Sequence, residues 1–426
     1  MGLMMGVVFL VLIFLGMPIG LSIGMSSLVM LFMSDLPFEM LPQMMFSGSS
    51  SFVLVAVPFF VLAGDVLAKG GISERIVSFA EASVGRLRGG LSIVSVVASM
   101  FIAAISGSGA ATTAAVGAAL LPQLEKKGYD LDFSASLIAA AGTIGVVIPP
   151  SVPMVLFATI AGESVAKLFL AGFVPGVIMG AALVAIALWV AHRRHYPAAD
   201  AIAPGEKRRR LVDALWGLMT PVIILGGIFS GVFTPSEAAA IAVDYSLVVA
   251  FVVYRELDWR KFYKLVVDAG VTSALVMFII GTSTLFGWEL AFCQAPEQVA
   301  ELMLKWAGGS GAMIYLMIMV IILIAGMFMV WSSALIVLTP IFLPTVAGLG
   351  GNVIHFGLLV TVGLAIGMAT PPVAINLYVA SAITGLPMER LSRPIVPMIL
   401  TLIVVLLVMT YFPSLTLFLP GLMGVQ

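Results

Sequence analysis

The chain alternates long apolar stretches with short polar stretches that carry most of its charge. A helix needs about 17 to 25 mostly apolar residues to cross a bilayer. Runs near this length predict membrane spans at 3–33, 52–67, 168–191, 211–231, 238–254, 269–287 and 395–412. Further apolar regions, in which Gly, Ser or Pro interrupts the run, lie at 91–123, 133–161 and 313–347 with its continuation to 383.

The basic residues assign the loops to two sides of the membrane. One topology puts all but two of the 20 Lys and Arg residues in the cytoplasm and leaves only Lys167 and Lys305 outside. This bias is the positive-inside rule, which sets the orientation of a membrane protein. We therefore predict a multi-pass protein with a cytoplasmic N-terminus, an external C-terminus and 3–33 as a retained first span.

Region 91–123 has basic residues beyond both ends, so both ends face the cytoplasm in this topology. It is too short for two spans, which need at least about 34 residues. Because the sequence Ser-Gly-Ser-Gly lies near its middle, at 106–109, we predict a re-entrant hairpin. Backbone at that depth is tolerated only inside protein or beside a water-filled cavity. The alternative is an ordinary helix pair with a tight glycine turn.

The interrupted regions recur at a fixed distance. The pair Pro149-Pro150 has a counterpart 222 residues later (371 − 149) at Pro371-Pro372. Hairpin 91–123 thereby pairs with a hairpin at 313–347, and the broken helix 133–161 pairs with 354–383. The topology gives the two halves opposite orientations, and inverted repeats with discontinuous helices are typical of secondary transporters. We predict an all-α integral membrane protein with repeats at 1–192 and 214–426, joined by a cytoplasmic linker at 193–213.

The chemistry of the interruptions favours a cation. A proline lacks a backbone N–H and clashes with the preceding turn, so a Pro-Pro pair in lipid frees carbonyl oxygens that need a partner. Neutral oxygens favour sodium over protons, because proton-driven sites usually show an intramembrane carboxylate or histidine. The predicted sodium ligands are Ser106, Ser108, Gly109, Thr143, Gly145 and Pro149 at a first site and Gly326, Ser332, Ser333, Gly367, Thr370 and Pro371 at a second. The alternative for each residue is that Gly and Ser only permit close helix packing.

The predicted substrate is a small organic anion. Its charge would be offset by bound sodium, helix N-termini and polar groups, since no Lys or Arg lies deep in a span. The candidate substrate ligands are Asn376, Ser108, Thr112 and Ser333. Asn376 either faces a central cavity or bonds a neighbouring helix. Asp244, inside the span 238–254, is a functional group, a contact to a partner subunit or a residue near the membrane interface.

Composition excludes several other classes. The 426 residues are 61% hydrophobic and 10% charged, whereas a soluble domain has about 25% charged residues. The net charge of −1 and the lack of a basic patch with aromatics argue against nucleic-acid binding. Cys293 is the single cysteine, and the three histidines show no spacing for a transition metal. No nucleophile, base and orienting acid gather at one depth, so we predict no enzyme, no catalytic residues and no cofactor besides sodium as coupling ion.

These motifs resemble those of the large membrane (M) subunit of tripartite ATP-independent periplasmic (TRAP) transporters. The resemblance covers nearly the whole chain. Its motifs are SGSGAATTAAVG at 106–117, KKGYD at 126–130, GTIGVVIPPSVPM at 142–154, KLFLAGFVPG at 167–176, FTPSEAAA at 233–240 and TPPVAINLYVASAITG at 370–385. Two positions depart from the family pattern: Val330 stands where many relatives carry an acid, and Gly363 where many carry Asn.

The resemblance implies an elevator-type transporter in the bacterial inner membrane that takes up carboxylates or sialic-acid-like acids with sodium. It also implies two partners, a small membrane (Q) subunit of about four helices and a periplasmic substrate-binding (P) protein. The alternative is a stand-alone sodium–carboxylate transporter of a related elevator fold. A channel is disfavoured because the predicted hairpins stop midway from opposite sides.

Overall fold

The structure is a computed structural model, and it describes residues 2–34, 36–85, 87, 89–197 and 205–423. Over these residues the chain forms twenty α-helices and no β-strand. Eight helical segments of this part of the chain are long and apolar enough to cross a membrane. The prediction of an all-α integral membrane protein is therefore confirmed.

The first half contains ten helices among the described residues. They are α1 Gly2–Phe14, α2 Ile19–Met33, α3 Met40–Ser49, α4 Ala56–Lys69, α5 Ile72–Val84, α6 Gly90–Ser106, α7 Gly109–Lys126, α8 Leu131–Gly142, α9 Val152–Ala161 and α10 Val165–Arg193. The ten helices of the second half are α11 Glu206–Phe229, α12 Pro235–Val248, α13 Trp259–Phe292, α14 Ala295–Trp306, α15 Gly311–Phe328, α16 Trp331–Gly348, α17 Val353–Gly367, α18 Ile375–Thr384, α19 Met388–Tyr411 and α20 Ser414–Leu422.

The helix bounds repeat at the spacing of the Pro-Pro pairs. Helices α7 and α16 are both 18 residues long and start 222 positions apart (331 − 109). Helices α8 and α17 start at the same spacing (353 − 131). Each Pro-Pro pair lies in a break, between α8 and α9 in the first half and between α17 and α18 in the second. The two halves therefore share one helical framework.

The loops that carry the basic residues bond to one another and so share one side of the molecule, which we call the basic side. It comprises the loops after α4, α5, α7, α10, α12 and α18. The Gly89 N–H, before α6, donates to the Pro197 carbonyl, after α10, at 3.3 Å. Arg75 pairs with Glu256, after α12, at 3.5 Å. The Ser136 hydroxyl on α8 donates to the Leu391 carbonyl on α19 at 2.9 Å.

The second hairpin, α15–α16, has its base at the opposite end. Helix α19 starts on the basic side and runs for 24 residues, about 36 Å at 1.5 Å per residue. Its last residue, Tyr411, donates from its hydroxyl to the Ala312 carbonyl in the first turn of α15 at 3.2 Å. The hairpins α6–α7 and α15–α16 therefore open at opposite ends, which makes the repeats inverted.

The prediction of one span at 3–33 is wrong. Gly16 adopts φ 83°, which favours glycine, and Pro18 follows it, so the chain reverses between α1 and α2. Gly2 packs against Ala295, since a Cβ atom built on Gly2 would lie 3.2 Å from the Ala295 Cβ. Ala295 follows the end of α13, whose other end adjoins the basic side. The N-terminal helix therefore starts at the far end from the basic loops, which corrects the predicted cytoplasmic N-terminus.

The stretch 193–213 contains less linker than predicted, although residues 198–204 lie outside the described part. Helix α10 continues to Arg193, and α11 already begins at Glu206. The Glu206 carboxylate accepts hydrogen bonds from Arg209 and Arg210, at 2.8 Å and 3.1 Å, which fixes the first turn. Arg210 also bonds Glu81 of α5 at 2.8 Å, so α11 is held against the first repeat.

Candidate functional site

The tip of the first hairpin is held by hydroxyl groups. Gly107 has φ 60°, and a Cβ atom on it would lie 2.8 Å from the Pro150 carbonyl oxygen, so only glycine fits this turn. The Ser108 hydroxyl accepts from the Ala111 N–H at 3.4 Å and caps α7. The Ser106 and Thr112 hydroxyls bond each other at 2.9 Å. The tip is thus a preformed polar turn.

The first broken helix meets this tip. After α8 the chain makes a short 3-10 turn at Thr143–Val146 and then the cis Pro149-Pro150 bond. Ser151 restarts the helix, because its hydroxyl accepts from the Met154 N–H at 3.4 Å. The Thr143 hydroxyl donates to the Ala140 carbonyl at 2.7 Å, so its proton is used within its own helix. The whole segment is buried.

Oxygen atoms converge on the glycines between tip and break. A Cβ atom on Gly145 would lie 2.6 Å from the Thr112 hydroxyl oxygen and 2.7 Å from the Ser108 carbonyl oxygen. On Gly109 it would lie 3.0 Å from the Gly142 carbonyl oxygen and 3.2 Å from Asn376 Oδ1. These glycines therefore face oxygens rather than apolar side chains.

Asn376 joins the two repeats at this point. It is fully buried, and its amide nitrogen donates to the Ala139 carbonyl of α8 at 3.1 Å. Its Oδ1 has no hydrogen-bond partner among the described residues. The side chain therefore bonds a neighbouring helix and also presents a free acceptor close to Gly109. Such an orphaned buried oxygen needs an explanation, and a cation is one.

The second junction is built from backbone. A Cβ atom on Gly367 would lie 2.4 Å from the Gly326 carbonyl carbon and 2.6 Å from its oxygen. The Val373 N–H donates to the Met327 carbonyl at 3.2 Å, which ties the break to the hairpin tip. The Thr370 hydroxyl donates to the Ile366 carbonyl at 2.8 Å. The structure brings Gly326 and Gly367 together.

The remaining predicted ligands of the second site lie close by in the chain. Ser332 and Ser333 are buried in the first turn of α16. Pro371 is half-buried in the break, where the Pro371-Pro372 bond is cis, whereas Pro149 of the first break is fully buried.

A cavity of about 640 Å³ adjoins the first junction. The hairpin tip, residues 106–108, forms one wall, and Trp331 at the second hairpin tip contributes to another. Asp65 and Lys69 of α4 and Thr272 of α13 complete the lining used below. Because Lys69 and the neighbouring Glu74 lie at the loop after α4, the cavity reaches the basic side.

The four predicted substrate ligands occupy different places. Ser108 lines the cavity. Thr112, Ser333 and Asn376 are buried in the packed junctions and are not part of the lining.

Sequence reasoning missed most of the cavity wall. The signal was an alanine stripe on α7, which recurs at intervals of three and four residues and gives one smooth face. It comprises Ala110, Ala111, Ala114, Ala115, Ala118 and Ala119. Helix α4 reaches the tip at Gly64, where a Cβ atom would lie 2.8 Å from the Ser106 carbonyl oxygen.

The opposite side is more closed. There a smaller cavity of about 340 Å³ lies between α3, α9, α13 and α16, with Ser47, Thr159 and Ser283 in its lining. A Cβ atom on Gly287 of α13 would lie 3.8 Å from Pro340 of α16, in ordinary van der Waals contact. Gly64 and Gly287, 223 residues apart (287 − 64), thus face opposing hairpins.

A polar cluster on the basic side holds the first hairpin to α10. Asp130, at the start of α8, accepts hydrogen bonds from the Tyr196 hydroxyl and from Arg194. These bonds, first that of Tyr196, hold the pKa of Asp130 below its ordinary value despite partial burial. Burial and the bond to Asp130 raise the pKa of Tyr196 to about 12. The Tyr129 and Tyr196 rings stack with centroids 4.4 Å apart.

Residues 6–415 match the family described as tripartite ATP-independent periplasmic transporter, DctM component. The chain belongs to this TRAP transporter family. The family consists of transporter subunits and not of enzymes. The resemblance found in the sequence motifs is therefore confirmed.

Several relatives resemble this TRAP subunit over most of its length. The isethionate TRAP transporter permease DctMQ of Oleidesulfovibrio alaskensis is 41% identical over 95% of this chain, which spans only 64% of that relative. The C4-dicarboxylate large permease DctM of Pseudomonas aeruginosa is 40% identical over 95% of each chain. The sialic acid large permease SiaM of Vibrio cholerae is 35% identical over 96% of each.

One solved structure shows the same fold. The YdaH transporter of Alcanivorax borkumensis, described as having an unusual topology, superposes with a TM-score of 0.64 over 88% of each chain. Its sequence identity to this TRAP subunit is 14%, so the likeness concerns the fold alone.

The two departures from the TRAP pattern have local structural consequences. Val330 is the N-cap residue of α16 and offers no side-chain cap, whereas an acid there would cap the helix. A Cβ atom on Gly363 would lie 2.8 Å from Ile322 of α15. Glycine thus lets α17 pack closely against α15, where a longer side chain would need the hairpin to shift.

Proposed function

We propose that this chain is the permease through which a TRAP transporter imports an organic acid by a sodium-coupled elevator mechanism. The observation that carries the proposal is the pair of junctions in which a hairpin tip meets a broken helix, combined with a large cavity beside only one of them. Such an arrangement suits alternating access, in which a moving body opens first to one side and then to the other. In this proposal the hairpins and broken helices move against α4 and α13.

The junctions fit sodium on chemical grounds. The first offers the orphaned Asn376 Oδ1 and the Ser108 carbonyl oxygen, near glycines that leave room beside them. The second offers backbone oxygens around Gly326 and Gly367. Sodium bound at these residues would supply positive charge beside an anionic substrate.

The basic side is proposed to be cytoplasmic under the positive-inside rule, in a bacterial inner membrane. The 640 Å³ cavity would then open inward. The first residue of α1 and the last of α19 would lie on the periplasmic side.

The substrate class follows from the cavity and from the relatives. The relatives' names specify isethionate, C4-dicarboxylates and sialic acid, which all carry a negative charge. Here Lys69 lines the cavity on the basic side, and the N-terminus of α7, at Ser108, contributes partial positive charge from its wall. These features support an organic acid, bound through hydroxyls and helix ends.

The partners are proposed to be a small membrane (Q) subunit and a periplasmic (P) protein that delivers substrate. The family description is tripartite, and the DctMQ relative is longer than this chain. Asp244 supports a membrane partner. It is exposed on α12, nine residues after Pro235, which is about 14 Å along the helix and near mid-membrane. A carboxylate facing lipid there is costly, so a polar or basic residue of the Q subunit is expected to cover it.

Uptake in proteoliposomes tests the proposal. The chain, with and without Q subunit and P protein, is assayed for uptake of isethionate, a C4-dicarboxylate and sialic acid under an inward sodium gradient. We expect saturable uptake of one acid that needs sodium and both partners. Uptake of free acid by the chain alone would favour the stand-alone carboxylate transporter, and an ohmic current without saturation would favour a channel.

Asp244→Asn tests the membrane partner separately. Co-purification of the Q subunit should fall, while the chain itself still inserts. An unchanged yield of the complex would remove Asp244 from the interface.

A further inference from the structure

Glu289 is a buried acid outside both junctions. It lies in the last turn of α13 and is 0% exposed. Among the described residues it is the only Asp, Glu, Lys or Arg side chain that is fully buried. Neither of its carboxylate oxygens has a hydrogen-bond partner there. Its complete burial also leaves no face through which a partner subunit could reach it without a rearrangement.

The surroundings of Glu289 are apolar. Phe286 and Leu290 of the same helix pack with side chains of α1, α2 and α16, among them Phe9, Ile23 and Val337. The Ser27 hydroxyl of α2 approaches the carboxyl but does not reach hydrogen-bond geometry. The site therefore offers one hydroxyl and otherwise hydrocarbon.

The helices packed on α13 supply no counter-ion in the described part of the chain. Helices α1, α2, α3 and α16 contain no titratable side chain, and the Cys293 thiol lies one turn beyond Glu289. The charged residues of α14 are exposed, namely Glu297, Glu301 and Lys305. On α4, Asp65 and Lys69 act near Asp268, at the other end of α13. An ionised carboxylate at Glu289 would thus be both desolvated and unpaired, which is strongly unfavourable.

A comparison with Asp65 suggests when Glu289 would be exposed. Asp65 follows Gly64, which faces the first hairpin, and it lines the open cavity. Glu289 follows Gly287, which faces the second hairpin on the closed side. The two acids occupy similar positions in the two repeats, one beside the open junction and one beside the closed one.

We propose that Glu289 is a proton-binding site, protonated in this conformation and deprotonated when the second hairpin moves away from α13. Protonation removes the charge that burial disfavours, and separation of α16 from α13 would let water reach the carboxylate. The release of the proton on opening rests on the proposed alternating access, whereas the protonation in the closed position does not. Rising pH would therefore favour the conformation that is open on the side opposite the basic loops.

Carbodiimide labelling tests the protonation directly and needs no transport. Dicyclohexylcarbodiimide reacts with protonated carboxyls in apolar surroundings, and mass spectrometry of the reconstituted full chain locates the adduct. We expect an adduct at Glu289 that decreases as pH rises and is absent in Glu289→Gln. Exposed Glu297 serves as the comparison carboxyl and should stay unlabelled. No adduct at Glu289 at any pH, or protection by sodium at constant pH, would overturn the proton site, the latter in favour of a cation site.

Accessibility of a reporter cysteine tests the coupling to opening. Ser283→Cys, in a Cys293→Ser background, reports the closed side. Its labelling by an impermeant maleimide should increase with pH, and adding Glu289→Gln should abolish this pH dependence. Glu297→Gln should leave it unchanged. Persistence of the pH dependence in Glu289→Gln would overturn the coupling. Labelling of Ser283→Cys in no condition would instead contradict the proposed alternating access, while the carbodiimide result still decides the proton site.

Discussion

The two hairpin tips follow one sequence framework but lie in different surroundings. The first tip, around Gly107, is a hydroxyl-bonded turn beside a cavity of about 640 Å³. The second tip packs its backbone at Gly326 against Gly367, and the cavity between its helix α16 and α13 is about 340 Å³. Because helix lengths and breaks repeat at the same spacing, the difference lies in how each hairpin sits against α4 or α13. The comparison indicates one conformation of a two-sided device.

The largest expected effect comes from filling the glycine contacts. Gly367→Val would place carbon atoms within 2.4 Å of the Gly326 backbone, and Gly145→Val would place them within 2.6 Å of the Thr112 hydroxyl. Backbone cannot yield as a side chain does, so we expect both variants to lose sodium-dependent uptake. Proteoliposome uptake measures this.

Gly226→Ala is the matched control, because a Cβ atom there meets nothing within 4 Å. It should insert and transport like the wild type. Normal uptake by both valine variants would contradict the role of the junctions.

A smaller effect is expected at the first tip. Ser108→Ala removes the α7 cap and a hydroxyl beside the predicted sodium ligands, which should weaken apparent sodium affinity by about fivefold, or about 1 kcal/mol. Thr370→Ala should act in the same direction at the second junction. Sodium titrations of uptake at saturating substrate measure both, with substrate affinity as the internal comparison. A change in substrate affinity alone would assign Ser108 to the substrate instead.

Lys69 should contribute modestly, because its contact with an anion would be partly screened by water and salt. Lys69→Gln is expected to raise the substrate KM about threefold at low salt. The difference should shrink as ionic strength rises. A loss of uptake that salt does not change would point to a structural role.

The smallest effect concerns the Asp130 cluster. The pKa of Asp130 in the folded chain lies below its ordinary value of 3.8, so its contribution to stability is present above that value and is lost as pH falls through the lowered pKa. Tyr196→Phe removes the largest cause and should bring the pKa of Asp130 closer to ordinary. Acid destabilisation, followed as Tm against pH, should then begin at a higher pH, with about 1 kcal/mol lost at neutral pH. An identical pH profile would exclude this coupling.

Features that depend on local chemistry could be predicted from the sequence. Pro149-Pro150 and Pro371-Pro372 interrupt helices wherever they occur, and the glycine turn at Gly107 needs its φ of 60°. The spacing of 222 residues then relates the halves without any tertiary information. These signals lie in a few adjacent residues, so they survive in the folded chain.

Features that depend on tertiary packing could not be predicted. The 3–33 region has the length of one span, and only the packing of α1 and α2 on α13 shows that it forms two helices. The cavity wall draws on α4, α7 and α13, and nothing in the sequence brings Lys69 near Ser108. The orphaned oxygen of Asn376 likewise depends on a helix from the other repeat.

Two-sided cysteine labelling tests alternating access most directly. Ser108→Cys and Ser283→Cys, each in a Cys293→Ser background, are exposed in oriented vesicles to an impermeant maleimide from either side. We predict that Ser108→Cys reacts from the basic side and Ser283→Cys from the opposite side, with sodium and substrate raising one reactivity while lowering the other. Reaction of both positions from the same side in every condition would contradict alternating access.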